Sequence, residues 1–483
     1  MNLSQLLGTY FPSQAFPDME ISSLTENSSR ANAKTLFVCI AGANADGHDY
    51  AADAYRRGCR AFLAQKPLDL PNDAQVFRCE NTRHALAHLA ATFYGHPSRR
   101  MRLVGITGTK GKTTTALLLS HILNRTGVSC GYIGTNGVRY GSIFEKTANT
   151  TPDAVTLQRH LAAMCDSGVE CAVIEISSQA LLQFRADGTH FETVVFTNLS
   201  TDHIGINEHP DFDNYRACKR RLFHEFGADT IVCNLDDPAT PEMVSGSDAK
   251  QFGCSLCNSS ADFFAKDLKI FKDPNAYGVS FEMTHGQEHA VCRLPLMGSF
   301  NASNALLAAA VARSTFELPL SRIAACLEDA AIDGRSEIIP LPSEAVAVID
   351  YAHNGESLSR LLSSLREYTD ARLIVLFGSV GERTQMRRAE LGAAAATYAD
   401  LAILTSDNPG KESPDDIIRD IAKAFEGSDT PYLTIPDRAE AIRAAVRETQ
   451  KGDILVLAGK GHETYQLVGS QKLPFSEKEL LVY

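Results

Sequence analysis

The sequence predicts an α/β protein of three domains, and three observations carry that prediction. Short apolar runs recur along the middle and last parts of the chain, each ending at a polar or glycine-bearing loop, as buried parallel strands do. One such run leads into Gly105-Ile-Thr-Gly-Thr-Lys-Gly-Lys-Thr-Thr-Thr115 and then into the apolar, alanine-bearing residues 115–123, which reads as strand, glycine turn and helix start. The length of 483 residues leaves room for about three domains of ordinary size.

Residues 1–98 form the smaller first α/β domain, with strands expected at 35–41 and 61–64 and an alanine-rich helix at 83–94. The basic, proline-bearing stretch Gly95-His-Pro-Ser-Arg-Arg-Met101 marks its end. Residues 99–332 alternate strands at 171–176, 193–197 and 230–233 with helical stretches, which predicts a central, mostly parallel sheet around the glycine turn. Residues 333–483 repeat that style at 345–350, 373–377, 401–404 and 453–457. Open sheets of this kind bind ligands at the carboxyl ends of their strands.

Composition excludes several classes. A net charge of −12 and no interleaving of basic and aromatic residues argue against broad nucleic-acid binding. No run reaches the ~20 apolar residues of a membrane span, and the first residues lack the basic and long apolar segments of a secretory signal. A cytoplasmic protein is expected. The twelve cysteines lie mostly inside apolar runs, as in a reducing compartment. Cys254-Ser-Leu-Cys257 has metal-like spacing but no second pair or nearby histidine, and reads as a loop feature.

The compact loop Gly108-Thr109-Lys110-Gly111-Lys112-Thr113, followed by Thr114, carries the chemistry. Its backbone N–H groups and the positive helix end suit phosphate oxygens. Lys112 would reach the outer phosphates, and Thr113 would offer a hydroxyl to Mg²⁺. Ile106 stands where the longer form of the motif has glycine. A glycine-rich turn with a surface lysine is the bland alternative, but it does not explain why strand, glycines, Lys-Thr and helix fall in order. Glu175 and His203 follow two later strands; Glu175 is a hard oxygen ligand suited to Mg²⁺, and His203 a less usual one. Lys219 falls in the helical stretch 215–223 and, on residue physics alone, reads as a solvated charge.

Six motifs in order then form one pattern: Gly-Thr-Lys-Gly-Lys-Thr-Thr; Glu175-x-Ser-Ser; Asn198-Leu-Ser-x-Asp-His203; Tyr215-x-x-x-Lys219; Gly298-x-Phe-Asn301-x-x-Asn304; and Asp350-Tyr-Ala-His353. The chain resembles the Mur ligases over essentially its whole length. Asn149-Thr-Thr-Pro-Asp153 and Gly459-Lys-Gly-His-Glu463 bring it nearest the MurE branch, which adds the third amino acid of the peptidoglycan stem peptide.

That resemblance implies a P-loop ATPase-like central domain and a Rossmann-like C-terminal domain that binds the amino acid. It implies ATP as co-substrate, Mg²⁺, and transfer of the γ-phosphate to the D-Glu carboxylate of UDP-MurNAc-L-Ala-D-Glu, so that a free amino acid can displace it. By the same resemblance Lys112, Lys219, His203 and Glu175 are catalytic. Thr113, Glu175, His203 and Lys219 (as N6-carboxylysine) hold metal. Gly108 to Thr114, Asn301, Arg335, Asp350 and His353 bind ATP. Ser28, Ala43, Asn44, Ala45, Asn149, Thr150, Thr151, Ser177, Gln183 and Arg185 bind the nucleotide sugar, with the register at Asn27-Ser28-Ser29 open by one residue. Arg383, Asp407, Asn408, Gly459 and Glu463 bind the amino acid.

The chain also departs from the pattern. Members adding meso-diaminopimelate carry Asp-Asn-Pro-Arg, whose arginine grips the distal carboxylate, where this chain reads Asp407-Asn-Pro-Gly410. A retained Glu463 beside a lost arginine fits a diamino acid such as L-lysine, without excluding meso-diaminopimelate. The alternatives are another ligase of the superfamily, such as folylpolyglutamate synthetase, or a nucleotide-binding module that does not ligate.

Overall fold

The computed structural model describes residues 1–42, 45–202, 204–205, 208–273, 276–382 and 385–481. It divides into two compact units, Met1–Phe264 with Leu306–Pro319, and Ala265–Ala305 with Leu320–Tyr483.

The first unit opens with a four-stranded parallel sheet in the order Ser23–Thr25, Thr35–Val38, Ala61–Ala64, Gln75–Arg78. The two inner strands are buried on both faces, so they read as continuous apolar runs rather than alternating ones. The helix Thr82–Phe93 starts where Asn81 accepts from the N–H groups of Arg83 and His84. Its face of Ala85, Leu86, Leu89 and Ala90 packs on this sheet.

The second sheet positions the site. Its parallel strands run Lys250–Ser255, Thr230–Asn234, Thr193–Phe196, Arg102–Thr107, Cys171–Glu175, Cys130–Gly134. Antiparallel Gly137–Tyr140 and Ile143–Glu145 extend its edge. Arg102–Thr107 therefore lies between the strands ending at Glu175 and at Phe196, and the three carboxyl ends meet. The strand Phe263–Asp273 begins alongside Lys250–Ser255.

In the second unit the antiparallel pair Ala276–His285 and Glu288–Leu294 precedes a six-stranded sheet. Its order is Glu337–Pro340, Val346–Asp350, Ile454–Ala458, Leu373–Phe377, Leu401–Leu404, Tyr432–Thr434, parallel except at the first strand. Leu358, Leu361, Leu362 and Leu365, one face of the helix Gly355–Arg366, close one side of it.

The expected strands and helices form, with ends shifted by a few residues. The expected strand at 35–41 stops at Val38. The antiparallel additions were not read from the sequence. Cys254 is buried in the strand Lys250–Ser255, so only Cys257, which is exposed, lies in the loop that was expected for both. Among the described residues no helix is long and apolar enough to cross a membrane.

Candidate active site

The glycine turn closes on the helix Lys112–Arg125, whose N-cap is Gly111. Glycine has no side chain to cap that end, which leaves the start of the helix open to an anion. The turn is held from the neighbouring strand end. Asn198 accepts from the N–H groups of Thr109 at 2.8 Å and Lys110 at 2.9 Å, and its amide donates to the Lys110 carbonyl at 3.0 Å. Thr109 Oγ1 lies 2.9 Å from the Tyr215 hydroxyl, and Lys110 Nζ 2.9 Å from Asp202 Oδ2. A side chain at Gly108 would meet Thr197 Oγ1 at 1.9 Å, so the backbone approach there requires glycine.

Two lysines converge on one carbonyl. Lys112 Nζ donates to Gly108 O at 2.8 Å, and Lys219 Nζ donates to the same oxygen at 2.7 Å. Lys219 is 1% exposed on the helix Phe212–His224, which overturns the reading of a solvated charge. Burial pushes its amine well below the usual lysine range, and the charge of Lys112 pushes the same way. Sequence spacing gave no sign of this, because burial of position 219 depends on how that helix packs beneath the turn.

Glu175 ends its strand fully buried. Thr113 Oγ1 donates to its Oε2 at 2.8 Å, and the Thr135 N–H and the Tyr132 hydroxyl donate to its Oε1 at 3.0 and 2.5 Å. Hydroxyl and carboxylate oxygens thus converge at the helix start, an all-oxygen donor pair that suits a hard divalent cation. Tyr132 and Thr135 were not singled out from the sequence, although the rule that ligands gather at strand carboxyl ends covers Thr135.

Beside Glu175 lies a second cluster. Thr151 Oγ1 donates to the Glu175 backbone oxygen at 2.8 Å and accepts from the Ser177 N–H at 3.0 Å. Arg185 donates to the Thr151 carbonyl at 3.0 Å and to Gln183 Oε1 at 2.7 Å, and Thr150 Oγ1 lies 3.0 Å from Thr135 Oγ1. Burial lowers the Arg185 guanidinium from its ordinary value. Thr150, Thr151, Ser177, Gln183 and Arg185 are thereby brought together, while Asn149 is exposed beside them. In the first sheet's loops Ser28 opens a short 3-10 turn and its hydroxyl bonds Asp53, whereas the Ser29 hydroxyl turns back to Asn27. Ala45 is exposed in a turn whose carbonyl accepts from Gly42. Ala43, Asn44, His203 and Arg383 lie outside the described residues.

In the second unit Asp350 ends its strand and accepts from the Ser336 and Ala352 N–H groups at 2.8 and 2.9 Å. Burial raises its carboxyl, against the charge of Arg335. Arg335 stacks 4.6 Å from the Tyr351 ring, and His353 and His462 pack against that ring at 4.9 and 5.1 Å. Asn301 is buried and donates to the Met297 carbonyl at 2.8 Å. A few strands away Lys460, fully buried, reaches Asn408 Oδ1 at 3.0 Å, Glu463 Oε2 at 3.2 Å and Asp407 Oδ1 at 3.5 Å. Asn408 also donates to Glu463 at 2.9 Å, and a side chain at Gly459 would meet Asp407 Oδ2 at 2.8 Å. Asp407, Asn408, Gly459 and Glu463 do form one cluster, around a lysine that sequence reasoning passed over although it lies inside the Gly459–Glu463 motif.

A glycine turn clamped over a helix start, a buried carboxylate beneath it and an arginine-bearing polar cluster alongside define a nucleotide-dependent enzyme of the phosphate-loop class. Family patterns match the chain as "Mur ligase family, catalytic domain" at residues 20–94, "Mur ligase middle domain" at 106–312 and "Mur ligase, glutamate ligase domain" at 334–461. The chain belongs to the Mur ligase family, and within it to the MurE branch. It is 36% identical to the UDP-N-acetylmuramoyl-L-alanyl-D-glutamate–2,6-diaminopimelate ligase of Geobacillus kaustophilus, over 99% of this chain and 96% of that one. The enzyme of the same name from Listeria monocytogenes is 34% identical over 99% of this chain and 97% of its own length. A solved structure of a ligase of that name superposes with a TM-score of 0.70 at 27% identity, covering 100% of this chain and 98% of that one. Folylpolyglutamate synthase of Mycobacterium tuberculosis shares the fold, at 19% identity and a TM-score of 0.61 over 78% of this chain and 92% of its own.

Proposed function

We propose that this chain is the ATP-dependent ligase that joins a diamino acid to the D-Glu of UDP-MurNAc-L-Ala-D-Glu in peptidoglycan precursor synthesis, acting in the cytoplasm. The observation that carries the proposal is adjacency: the Thr151 hydroxyl bonds the backbone of Glu175, so the Arg185 cluster abuts the phosphate loop. Acyl activation needs the acceptor carboxylate beside the γ-phosphate, and holding the two together supplies much of the rate. The carboxylate takes the phosphoryl group and ADP leaves; the incoming amine then attacks the acyl carbon and inorganic phosphate leaves. Lys112 neutralises charge on the transferring phosphoryl group. Thr113 and Glu175, with Lys219 and His203 by family resemblance, would hold Mg²⁺, which would supply charge neutralisation to the phosphates. Domains of 1–98 for the nucleotide sugar, 99–332 for ATP and 333–483 for the amino acid are supported by the three matched segments.

The test is phosphate release measured with each substrate omitted in turn. Release that needs both UDP-MurNAc-dipeptide and an amino acid is expected; ATP turnover indifferent to the acceptor removes the proposal. Arg185→Ala is expected to raise KM for the nucleotide-sugar dipeptide about 10- to 100-fold, the worth of a charge-assisted hydrogen bond, with KM for ATP nearly unchanged.

The names of the relatives favour meso-diaminopimelate, and Gly410 favours L-lysine. Gly410 has φ +58°, its N–H donates to Leu467 O at 3.1 Å, and its carbonyl accepts from Gly469 at 2.6 Å. It is thus part of the support of the hairpin Tyr465–Val468 and Gln471–Pro474. A side chain there would start 2.8 Å from Glu382 Oε2, so a guanidinium at 410 would pair with Glu382. Gly410→Arg alone is expected to gain no diaminopimelate activity, and Gly410→Arg with Glu382→Gln to raise the diaminopimelate-to-lysine ratio of kcat/KM. Product formation with L-lysine, meso-diaminopimelate, L-ornithine and lanthionine side by side checks both statements.

A further inference from the structure

A cavity of about 790 Å³ lies in the first unit, apart from the phosphate loop, lined by the helix Thr82–Phe93, the segment 184–190 and the end of the helix Phe212–His224. On its wall three potential metal ligands meet. His84 and His88 stand one turn apart on the same helix face, as i and i+4 must. Asp187 is brought to them by its neighbour Gly188 (φ +74°), at which a side chain would meet the Cα of His88 at 3.1 Å. One ligand atom from each of the three lies within 4.8 Å of the others.

We propose that His84, His88 and Asp187 form a binding site for a divalent cation of the zinc class, which ties the helix Thr82–Phe93 to the segment carrying Gln183 and Arg185. The spacing suits that ion. Four-coordinate zinc with bonds of ~2.0–2.1 Å separates its ligand atoms by about 3.4 Å. His84 Nε2 lies 3.2 Å from His88 Nε2 and 3.7 Å from Asp187 Oδ2. Two imidazoles and a carboxylate are a borderline donor set that favours zinc over magnesium or calcium. Three protein ligands at a cavity wall leave the fourth position to water.

Two further observations point to a cation. The Asp187 side chain is 8% exposed, and its Oδ1 is buried without a hydrogen-bond partner. The Tyr10 hydroxyl lies 3.3 Å from His84 Nδ1, the outer contact that fixes a ligating imidazole with its Nε2 lone pair inward. Arg221 is the opposing charge, 3.3 Å from Asp187 Oδ2, but it also pairs with Glu225 at 2.6 Å. Arg99, His96 and His190 also line the cavity.

The experiment uses the full chain, stripped with chelator and held in excess Mg²⁺ so that the phosphate-loop site does not take up zinc. Calorimetric titration with Zn²⁺ is expected to give one equivalent bound more tightly than about 10 µM. His88→Gln and Asp187→Asn should each weaken it at least ~100-fold, and Glu175→Gln should leave it intact. Zinc should raise the unfolding midpoint of the parent chain and not of the first two variants. X-ray absorption of the zinc-loaded parent chain, which needs no variant to fold, should show nitrogen and oxygen neighbours with imidazole scattering. Binding weaker than about 10 µM, binding unaltered in both variants, or a sulfur-containing shell overturns the proposal. So does a cavity that takes up phosphate and no zinc.

Discussion

Lys112→Ala is expected to lower the ligation rate by about 10²–10³-fold, the loss that follows removal of one preorganised donor to a developing anion. The fold should survive the change. The Lys112 ammonium donates to the carbonyls of Gly108 and Thr109 in its own turn, at 2.8 and 3.0 Å. Asn198 and Tyr215 hold that turn independently. Single-turnover formation of phosphorylated dipeptide, measured beside the unfolding midpoint, separates the two effects. A rate within a few-fold of the parent chain would remove this lysine from the phosphoryl transfer.

Lys219→Ala should cost about 10²-fold or more in turnover. Lys112 and Lys219 both donate to the Gly108 carbonyl, so two ammonium groups face each other in a buried place. A neutral Lys219 amine relieves that repulsion, and only a neutral amine adds CO₂. Carbamylation would then turn a like charge into an opposite one. Turnover of the parent chain is therefore expected to fall in CO₂-free buffer and to return with bicarbonate, and the alanine variant to respond to neither.

Stability gives an independent check. In CO₂-free buffer the Lys219 pKa is lower folded than its ordinary 10.5, so a proton must leave on folding, or a buried charge be borne, wherever the unfolded chain would hold that proton. That penalty is present below pH 10.5 and fades as pH rises towards it. Lys219→Met should accordingly have the higher unfolding midpoint at neutral pH, with the gap closing in alkali, while its activity is lost. Equal midpoints for the two chains at pH 7 would mean that Lys219 is not buried as a base.

Much of the site was legible because strand ends and glycine turns announce themselves. Glu175, the Asn198 clamp and Ser177 all follow runs of apolar residues whose ends the sequence marks, whereas Thr151 was reached only through the family resemblance. Lys219 and Lys460 were not legible in this way. A lysine's long chain and charge place it by default in solvent, and only tertiary packing reverses that. The strands between 263 and 294 were missed because the first of them is half exposed and lacks an apolar run. The cavity cluster was missed because a turn of helix and a loop about a hundred residues later share no local pattern.

Gly410 carries an evolutionary consequence. Glycine and arginine codons differ by a single base, so mutation offers the exchange often. Yet the left-handed backbone at 410 would charge any other residue about 1–2 kcal/mol, and Glu382 would capture the new side chain. On the proposal that Gly410 sets the amino acid, a chain of the opposite preference is separated from this one by at least two changes. The first of them brings no benefit alone, and such a step holds a lineage to the wall chemistry it already has.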